Sequence, residues 1–368
     1  MITMKKKLLL VVGTRPNYIK VTQFKTVAER DFENQFEIKI VHTGQHFDKA
    51  MADDFFKQLD LWPDYFLNIS QGSANTQMGE IMLRLEGVIS EFKPDMLIVP
   101  GDVNSTLAAA LTANKLGIPL AHLESGLRSF DRSMPEEINR ILVDEISDHF
   151  FVTEQSGIDN LVAEGKPKER VHFVGNTMID TLVAFETEIA AQPILDQYQL
   201  KPNGFILVTI HRPATVDHED GLKTLADLLE NLPSEQKIVF PMHPRTRKHI
   251  AKFGLTERFD QLEQLIIVEA LDYFSFQSLI HNCSLVLTDS GGIQEETTFK
   301  QKPCLTLRPN TERPSTVTIG SNTLLNLDKD KIVAHIDSIL NGNYKKGKVP
   351  ELWDGKATKR ILSVIADL

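Results

Sequence analysis

Residues 285–296 read Leu-Val-Leu-Thr-Asp-Ser-Gly-Gly-Ile-Gln-Glu-Glu. Leu285–Thr288 is a short run of the kind that forms a strand buried on both faces. Asp289 and Ser290 end it, Gly291 and Gly292 turn the chain, and a helical pattern opens at Ile293. A buried strand feeding a helix through a glycine turn is the repeating unit of a parallel α/β sheet. Here the glycines let backbone N–H groups approach a pyrophosphate, and the helix dipole adds attraction. Glu296, one turn along, is placed to accept hydrogen bonds from ribose hydroxyls. The stretch is neither a Walker A loop nor G-x-G-x-x-G, so ATPase and NAD-binding readings lose support.

The same rhythm extends in both directions. Strands are predicted at Leu8–Val12, Phe36–Val41, Met96–Val99, Pro119–His122, His149–Val152 and Val171–Val174, with helices near 16–30, 47–58, 74–92, 103–115, 136–146 and 154–164. The pattern restarts with strands at Phe205–Ile210, Ile238–Phe240, Ile266–Val268, Leu285–Thr288 and Cys304–Leu307. Residues 176–199 have a mixed, helical look, and residues 356–367 read as one more amphipathic helix after Pro350 and Gly355. We therefore expect an α/β protein of two Rossmann-like domains, 1–180 and 181–355, each a doubly wound parallel sheet, with the helix of 356–368 packing back on the first. Two such sheets in tandem suggest a central cleft, and ligands in such sheets bind outside the carboxyl ends of the strands.

Composition narrows the class. The chain has 368 residues, 42% hydrophobic and 24% charged, with a net charge of −10. That is ordinary for a globular protein and offers no footprint for non-specific nucleic-acid binding. Its two cysteines, Cys283 and Cys304, sit in apolar runs and are too few for a disulfide framework or a cysteine zinc site. The 11 histidines are scattered without ligand spacing, so no metal site is expected. The start, MITMKKKLLLVVG, mimics a signal peptide, but its apolar run is short and Arg15 follows. It reads as a first buried strand of a cytoplasmic protein with no membrane insertion.

Strand ends hold the candidate chemistry. Gly13-Thr14-Arg15-Pro16 follows the first strand and pairs a tight turn with a bidentate anion donor, though a plain strand–helix turn explains it too. Asp102 follows a buried strand and could cap the next helix. Glu124 stands at the end of another strand, where a carboxylate is a poor structural choice. Glu136 and Glu137 lie in a first helical turn, where the dipole favours them. Asp102, Glu124 and a glutamate of this turn, three carboxylates at adjacent strand or helix ends of one sheet, read as an acid/base-capable wall. In the second half His211 ends a strand, His243-Pro244-Arg245 ends another, and Arg313 is offered to the phosphate region.

Nine segments in order carry a resemblance: GTRPNYIK (13–20), HTGQHFDKAM (42–51), GDVNSTLAA (101–109), HLESGLRSFDRSMPEEINR (122–140), GNTMIDTL (175–182), TIHRP (209–213), HPRTRK (243–248), LTDSGGIQEE (287–296) and NTERP (310–314). Together they resemble the non-hydrolysing UDP-N-acetylglucosamine 2-epimerase family over about residues 8–320. The resemblance implies a GT-B architecture, a homodimer, reversible conversion of UDP-GlcNAc to UDP-ManNAc, and no metal or nicotinamide cofactor. It also implies a place in cell-surface polysaccharide biosynthesis. It puts the catalytic residues on Asp102, Glu124, Glu136 and His211. UDP contacts fall on Arg15, Ser290, Gly291, Gly292, Glu296 and Arg313. Segments 42–48 and 126–140 are also similar to relatives acting on other UDP-2-acetamido sugars, diacetamido-uronates and L-fucosamine among them.

A regulatory second site, where relatives bind another UDP-GlcNAc, would involve Gln45, His46 and Arg212. Pro213-Ala214-Thr215 replaces the Arg-Glu-Asn of many bacterial members, and Pro213 fixes its own φ and lacks an N–H. Weakened or absent activation is the expectation. Rival readings are a GT-B glycosyltransferase, a hydrolysing epimerase and a non-catalytic nucleotide-sugar sensor; fold alone separates none of them.

Overall fold

Leu8, Leu9 and Leu10 are fully buried because helices cover both faces of the strand they form, β1 (Lys6–Val12). The computed structural model describes residues 5–33, 35–45 and 49–368, with the backbone alone for 49–53. The chain forms two compact units, Met1–Ala184 with Glu351–Leu368, and Phe185–Pro350.

In the first unit β1 is joined by β2 (Phe36–His42), β3 (Tyr65–Phe66), β4 (Met96–Pro100), β5 (Leu120–Leu123), β6 (His149–Val152) and β7 (Val171–Phe173). All pair in parallel, in the order β3-β2-β1-β4-β5-β6-β7. Leu8 is in register with Ile38 on one side and Met96 on the other, so the order reverses between β1 and β4. The second unit repeats the plan. It contains β8 (Phe205–Thr209), β9 (Lys237–Pro241), β10 (Leu265–Val268), β11 (Leu285–Thr288), β12 (Cys304–Leu307) and β13 (Asn322–Leu325), in the order β10-β9-β8-β11-β12-β13. Its reversal lies between β8 and β11. A doubly wound sheet opens a crevice at such a reversal, outside the carboxyl ends of the two strands.

The expected helix over 16–30 is two helices, α1 (Arg15–Ile19) and α2 (Gln23–Asp31). The Ile19 carbonyl accepts from the Thr181 hydroxyl at 2.6 Å, and that hydroxyl also meets Thr22 at 2.6 Å. Thr181 thus takes the carbonyl that a continuing helix would use. Two strands, β3 and β13, were not in the sequence expectation. One is two residues long, and the other begins with Asn322, whose side chain bonds Gln294 and Thr316.

Helices of the first unit include α3 (Asn104–Leu116) and α4 (Pro135–Ile146). The chain returns from the second unit to add a last helix, α7, at Ala357–Asp367, after α5 (Pro213–Val216) and α6 (Gly291–Phe299) of the second. The buried Asp180 carboxylate receives the first N–H groups of α7, Ala357 at 3.0 Å and Thr358 at 2.6 Å. Burial raises the Asp180 pKa, and those N–H bonds oppose it. Trp353 is buried just before α7, its Nε1 donating to the Thr153 carbonyl at 2.9 Å. No helix among the described residues is long and apolar enough to cross a membrane.

Candidate active site

Several of the candidate residues stand at or beside the two reversals. At the first, Gly13 ends the run after β1, where a Cβ would stand 2.0 Å from Ser105 Oγ. Only glycine lets the β1 end approach the start of α3 this closely. Thr14 and Asn17 bond each other, and Asn17 Nδ2 donates to the Pro100 carbonyl, tying α1 to the end of β4. Arg15 is half-buried, its guanidinium 4.9 Å from the Phe55 ring centre. Lys20, at the end of α1, turns inward, and its Nζ lies 2.6 Å from Oε2 of Glu124.

Glu124 follows β5 with φ +67°, a left-handed conformation that a glutamate adopts at a cost. Its amide bonds the Phe151 carbonyl at 3.0 Å, which holds the turn. Asp102 follows β4 and Gly101. Its Oδ2 is 2.5 Å from Arg140 Nη2 on α4, and its carbonyl accepts from Asn139 at 2.8 Å. Arg140 also grips Glu137, whose oxygens take the Ser129 N–H and hydroxyl and the Phe130 N–H, each at 2.9 Å. Glu137 is thus the buried partner that ties the 129–130 loop to α4. Glu136, beside it, is half-buried and forms no ion pair among the described residues. The structure brings Lys20 and Glu124 together beside Gly101, and binds Asp102 to the Arg140–Glu137 pair.

Gln45 is buried, and its Oε1 accepts from the Ser105 N–H and hydroxyl at 2.9 and 2.6 Å. It caps the start of α3. His46 lies outside the described residues.

At the second reversal, Asp289 is fully buried at the end of β11. Its carboxylate accepts from the backbone N–H of His211 at 2.9 Å and of Arg212 at 2.8 Å. It also stands 3.1 Å from Nδ1 of His211. A buried carboxylate at Nδ1 fixes a proton there and leaves Nε2 for acid/base work. The His211 ring lies 5.8 Å from that of His243, whose Nδ1 accepts from the Arg245 N–H. Burial, with His211 and Arg245 nearby, lowers the His243 pKa.

Ser290 is the N-cap of α6, and Gly291 and Gly292 are its first residues. Their N–H groups have no partner within the helix. A Cβ on Gly291 would stand 2.9 Å from both Arg313 Nη1 and Glu312 Oε1. Arg313 is buried between Glu295, 2.8 Å from its Nε, and Glu312, which also pairs with Arg308 at 3.0 Å. Burial, with Arg212 and Arg313 near it, pulls the Arg308 guanidinium below its usual range against the pull of Glu312. Glu296 is buried further along α6. The ensemble is a helix N-terminus flanked by arginines, suited to an anion.

Lys20, Arg140 and Asp289 are functional candidates that the sequence reading left unassigned. A charged residue at a buried strand or helix end is their shared signal, but which partner it meets depends on tertiary contacts.

The family model for UDP-N-acetylglucosamine 2-epimerase matches residues 28–366. The chain is 37% identical over 366 residues to the UDP-N-acetylglucosamine 2-epimerase of Methanocaldococcus jannaschii, covering 98% of both proteins. It is 38% identical over 367 residues to the UDP-2,3-diacetamido-2,3-dideoxy-D-glucuronate 2-epimerase of Pseudomonas aeruginosa, covering 98% of this chain and all of that one. The Methanocaldococcus jannaschii enzyme solved with UDP-GlcNAc and UDP superposes with a TM-score of 0.88 at 36% identity, over 98% of this chain and 100% of that chain.

Proposed function

The chain belongs to the UDP-N-acetylglucosamine 2-epimerase family, and from that premise we propose that it interconverts UDP-GlcNAc and UDP-ManNAc by losing and regaining UDP. The observation that carries the reading is a division of chemistry between the two sheet reversals. The first holds carboxylates with a buried lysine; the second holds a helix N-terminus, arginines and a His–Asp dyad.

The C2–H of a pyranose has no carbonyl beside it and is not acidic. Cleavage of the C1–O bond makes C1 electron-poor and lets C2 lose its proton. The C1–O electrons leave with UDP, the C2–H electrons form the C1=C2 bond, and the product is 2-acetamidoglucal. Ser290, Gly291 and Gly292, with Arg15 and Arg313, stabilise the charge growing on the leaving diphosphate. Glu296 holds the ribose. Asp102, Glu124, Glu136 and His211 exchange protons at C2. Delivery of a proton to the opposite face, with return of UDP to C1, inverts C2. Two faces need two proton-transfer arrangements, which a set of carboxylates and an imidazole provides.

A second substrate has an observation in its favour: identity to the diacetamido-glucuronate epimerase matches that to the UDP-GlcNAc enzyme. The reaction class is the same for both. Proton NMR of the protein with UDP-GlcNAc alone, and separately with the UDP-diacetamido-uronate, tests the reading. Appearance of the 2-epimer of UDP-GlcNAc supports it; turnover of the uronate alone transfers the assignment to that sugar. Release of free sugar and UDP contradicts epimerisation. With Gln45 committed to the start of α3 and Pro213 opening a one-turn helix, we expect no strong activation by added UDP-GlcNAc.

A further inference from the structure

His122 lies on β5, fully buried, with an acceptor at each ring nitrogen. Nε2 is 2.8 Å from the Gly101 carbonyl oxygen, which can only accept, so Nε2 carries a proton. Nδ1 is 2.6 Å from Oδ1 of Asp144 on α4. The other oxygen of Asp144 takes Arg128 Nη1 at 2.7 Å and the Gly126 N–H at 3.0 Å. Burial works to raise the Asp144 carboxyl, but His122 and Arg128 outweigh it and hold it below its usual range. The short Nδ1–Oδ1 contact shares a proton between ring and carboxyl, which anchors the ring on the side away from Gly101. Arg128 is forked in turn by Glu164 at 2.8 and 2.7 Å. His122, Asp144, Arg128 and Glu164 form one continuous chain of polar contacts.

The far end of that chain grips one peptide. Gly101 has φ +69°, donates its N–H to the Leu123 carbonyl at 3.0 Å and gives its carbonyl to His122. A Cβ there would stand 3.1 Å from both Lys20 Nζ and Asn17 Nδ2. The next residue is Asp102. The Gly101 peptide is therefore the joint that presents Asp102 on one side and abuts the Lys20–Glu124 pair on the other.

We infer that His122 is a positioning residue for the epimerase reaction. Its ring, anchored by Asp144, locks the Gly101 carbonyl and so sets where Asp102 and the Lys20–Glu124 pair stand. It acts through that peptide. The inference rests on the epimerase reading for its kinetic consequence, but the clamp itself is a property of the protein without substrate.

The test uses the full chain and two substitutions that split the ring's bonds. A glutamine at 122 carries an amide nitrogen to about the place of Nε2; an asparagine carries one to about the place of Nδ1. His122→Asn, keeping the Asp144 bond but losing the Gly101 clamp, lowers kcat on the order of 10²-fold, the penalty of a displaced catalytic group, with KM little changed. His122→Gln restores most of that loss. Equal loss in both variants, or melting temperatures that fall while kcat holds, overturns the inference. If His122→Asn does not fold, His122→Gln decides alone: kcat within a few-fold of wild type supports the clamp, and a 10²-fold loss contradicts it. Nitrogen-15 NMR of histidine-labelled, unliganded protein gives the independent reading, with the His122 signal assigned by its absence from His122→Gln. A proton on Nε2 is expected, and an Nε2 without one overturns the clamp. If wild type turns over neither UDP-sugar, the epimerase reading fails while the NMR result still judges the clamp.

Discussion

Nζ of Lys20 lies 2.6 Å from Oε2 of Glu124, and both side chains are buried. The contact joins the end of α1 to the end of β5 across the sheet reversal of the first unit. It depends on Gly101, since a side chain there would crowd the lysine. It also depends on the left-handed backbone of Glu124, which aims the carboxylate. Strain and buried charge at one point are features that a purely structural turn would avoid.

Removing one partner of this pair takes from the other its buried counter-charge, at a cost of about 3–5 kcal/mol. Lys20→Met and Glu124→Leu should each lower stability in chemical denaturation by that order. The double variant should be less destabilised than either single one. Additive losses would show that the two charges do not depend on each other. Glu124→Gln, which keeps the shape, should lower kcat by roughly 10²–10⁴, the range for a lost acid/base group.

Asp289 should matter through His211. Asp289→Asn removes the carboxylate that holds the Nδ1 proton and loosens the two backbone N–H bonds to residues 211 and 212. We expect kcat to fall by roughly 10²–10⁴, with UDP affinity, measured calorimetrically, largely retained. Loss of UDP binding with normal kcat would place Asp289 in the nucleotide grip instead.

The two parallel sheets and the strand ends that carry the candidate groups were legible because strands buried on both faces read as continuous apolar runs. Leu8–Val12 and Leu285–Thr288 show this plainly. Strand β3 was not legible, because two residues at a sheet edge leave no periodic trace. The break between α1 and α2 was hidden too, since it is made by Thr181, more than 150 residues away. Among site residues, Glu136 and Glu137 are indistinguishable as neighbours in a first helical turn. Tertiary contacts part them: Glu137 is buried in the Arg140 network, and Glu136 is not. Asp289 and Lys20 stood inside recognised segments, but the partners that give them roles come from distant elements.

The start of α6 offers a binding test. Gly291→Ala forces a Cβ into the Arg313–Glu312 pair, 2.9 Å from an atom of each. Glu296→Ala removes the acceptor assigned to the ribose. Each should weaken UDP by about 1–3 kcal/mol, the range for a charge-assisted contact, as read by titration calorimetry. Unchanged affinity in both would remove α6 from the nucleotide site.

Acid should destabilise the first unit through a buried imidazole. His42 packs against Tyr18, Phe56 and Phe66, and burial lowers its pKa to about 4. In the unfolded chain it titrates near 6.5. Between these values the unfolded state binds a proton that the folded state refuses, so stability falls as the pH drops from about 6.5 to about 4. The difference corresponds to about 3 kcal/mol. His149 and His172 of the same unit, also lowered by burial, act in the same direction. Melting temperature against pH should fall across this window in wild type and more gently in His42→Phe. Identical slopes would contradict the assignment.

In the proposed reaction C2 loses its proton to the protein and regains one after UDP has left. Incubation with UDP-GlcNAc in D2O, followed by NMR of the epimer formed, follows that proton. UDP-ManNAc carrying deuterium at C2 is expected, with deuterium entering the recovered UDP-GlcNAc as the reaction reverses. UDP-ManNAc that retains protium at C2 would contradict it.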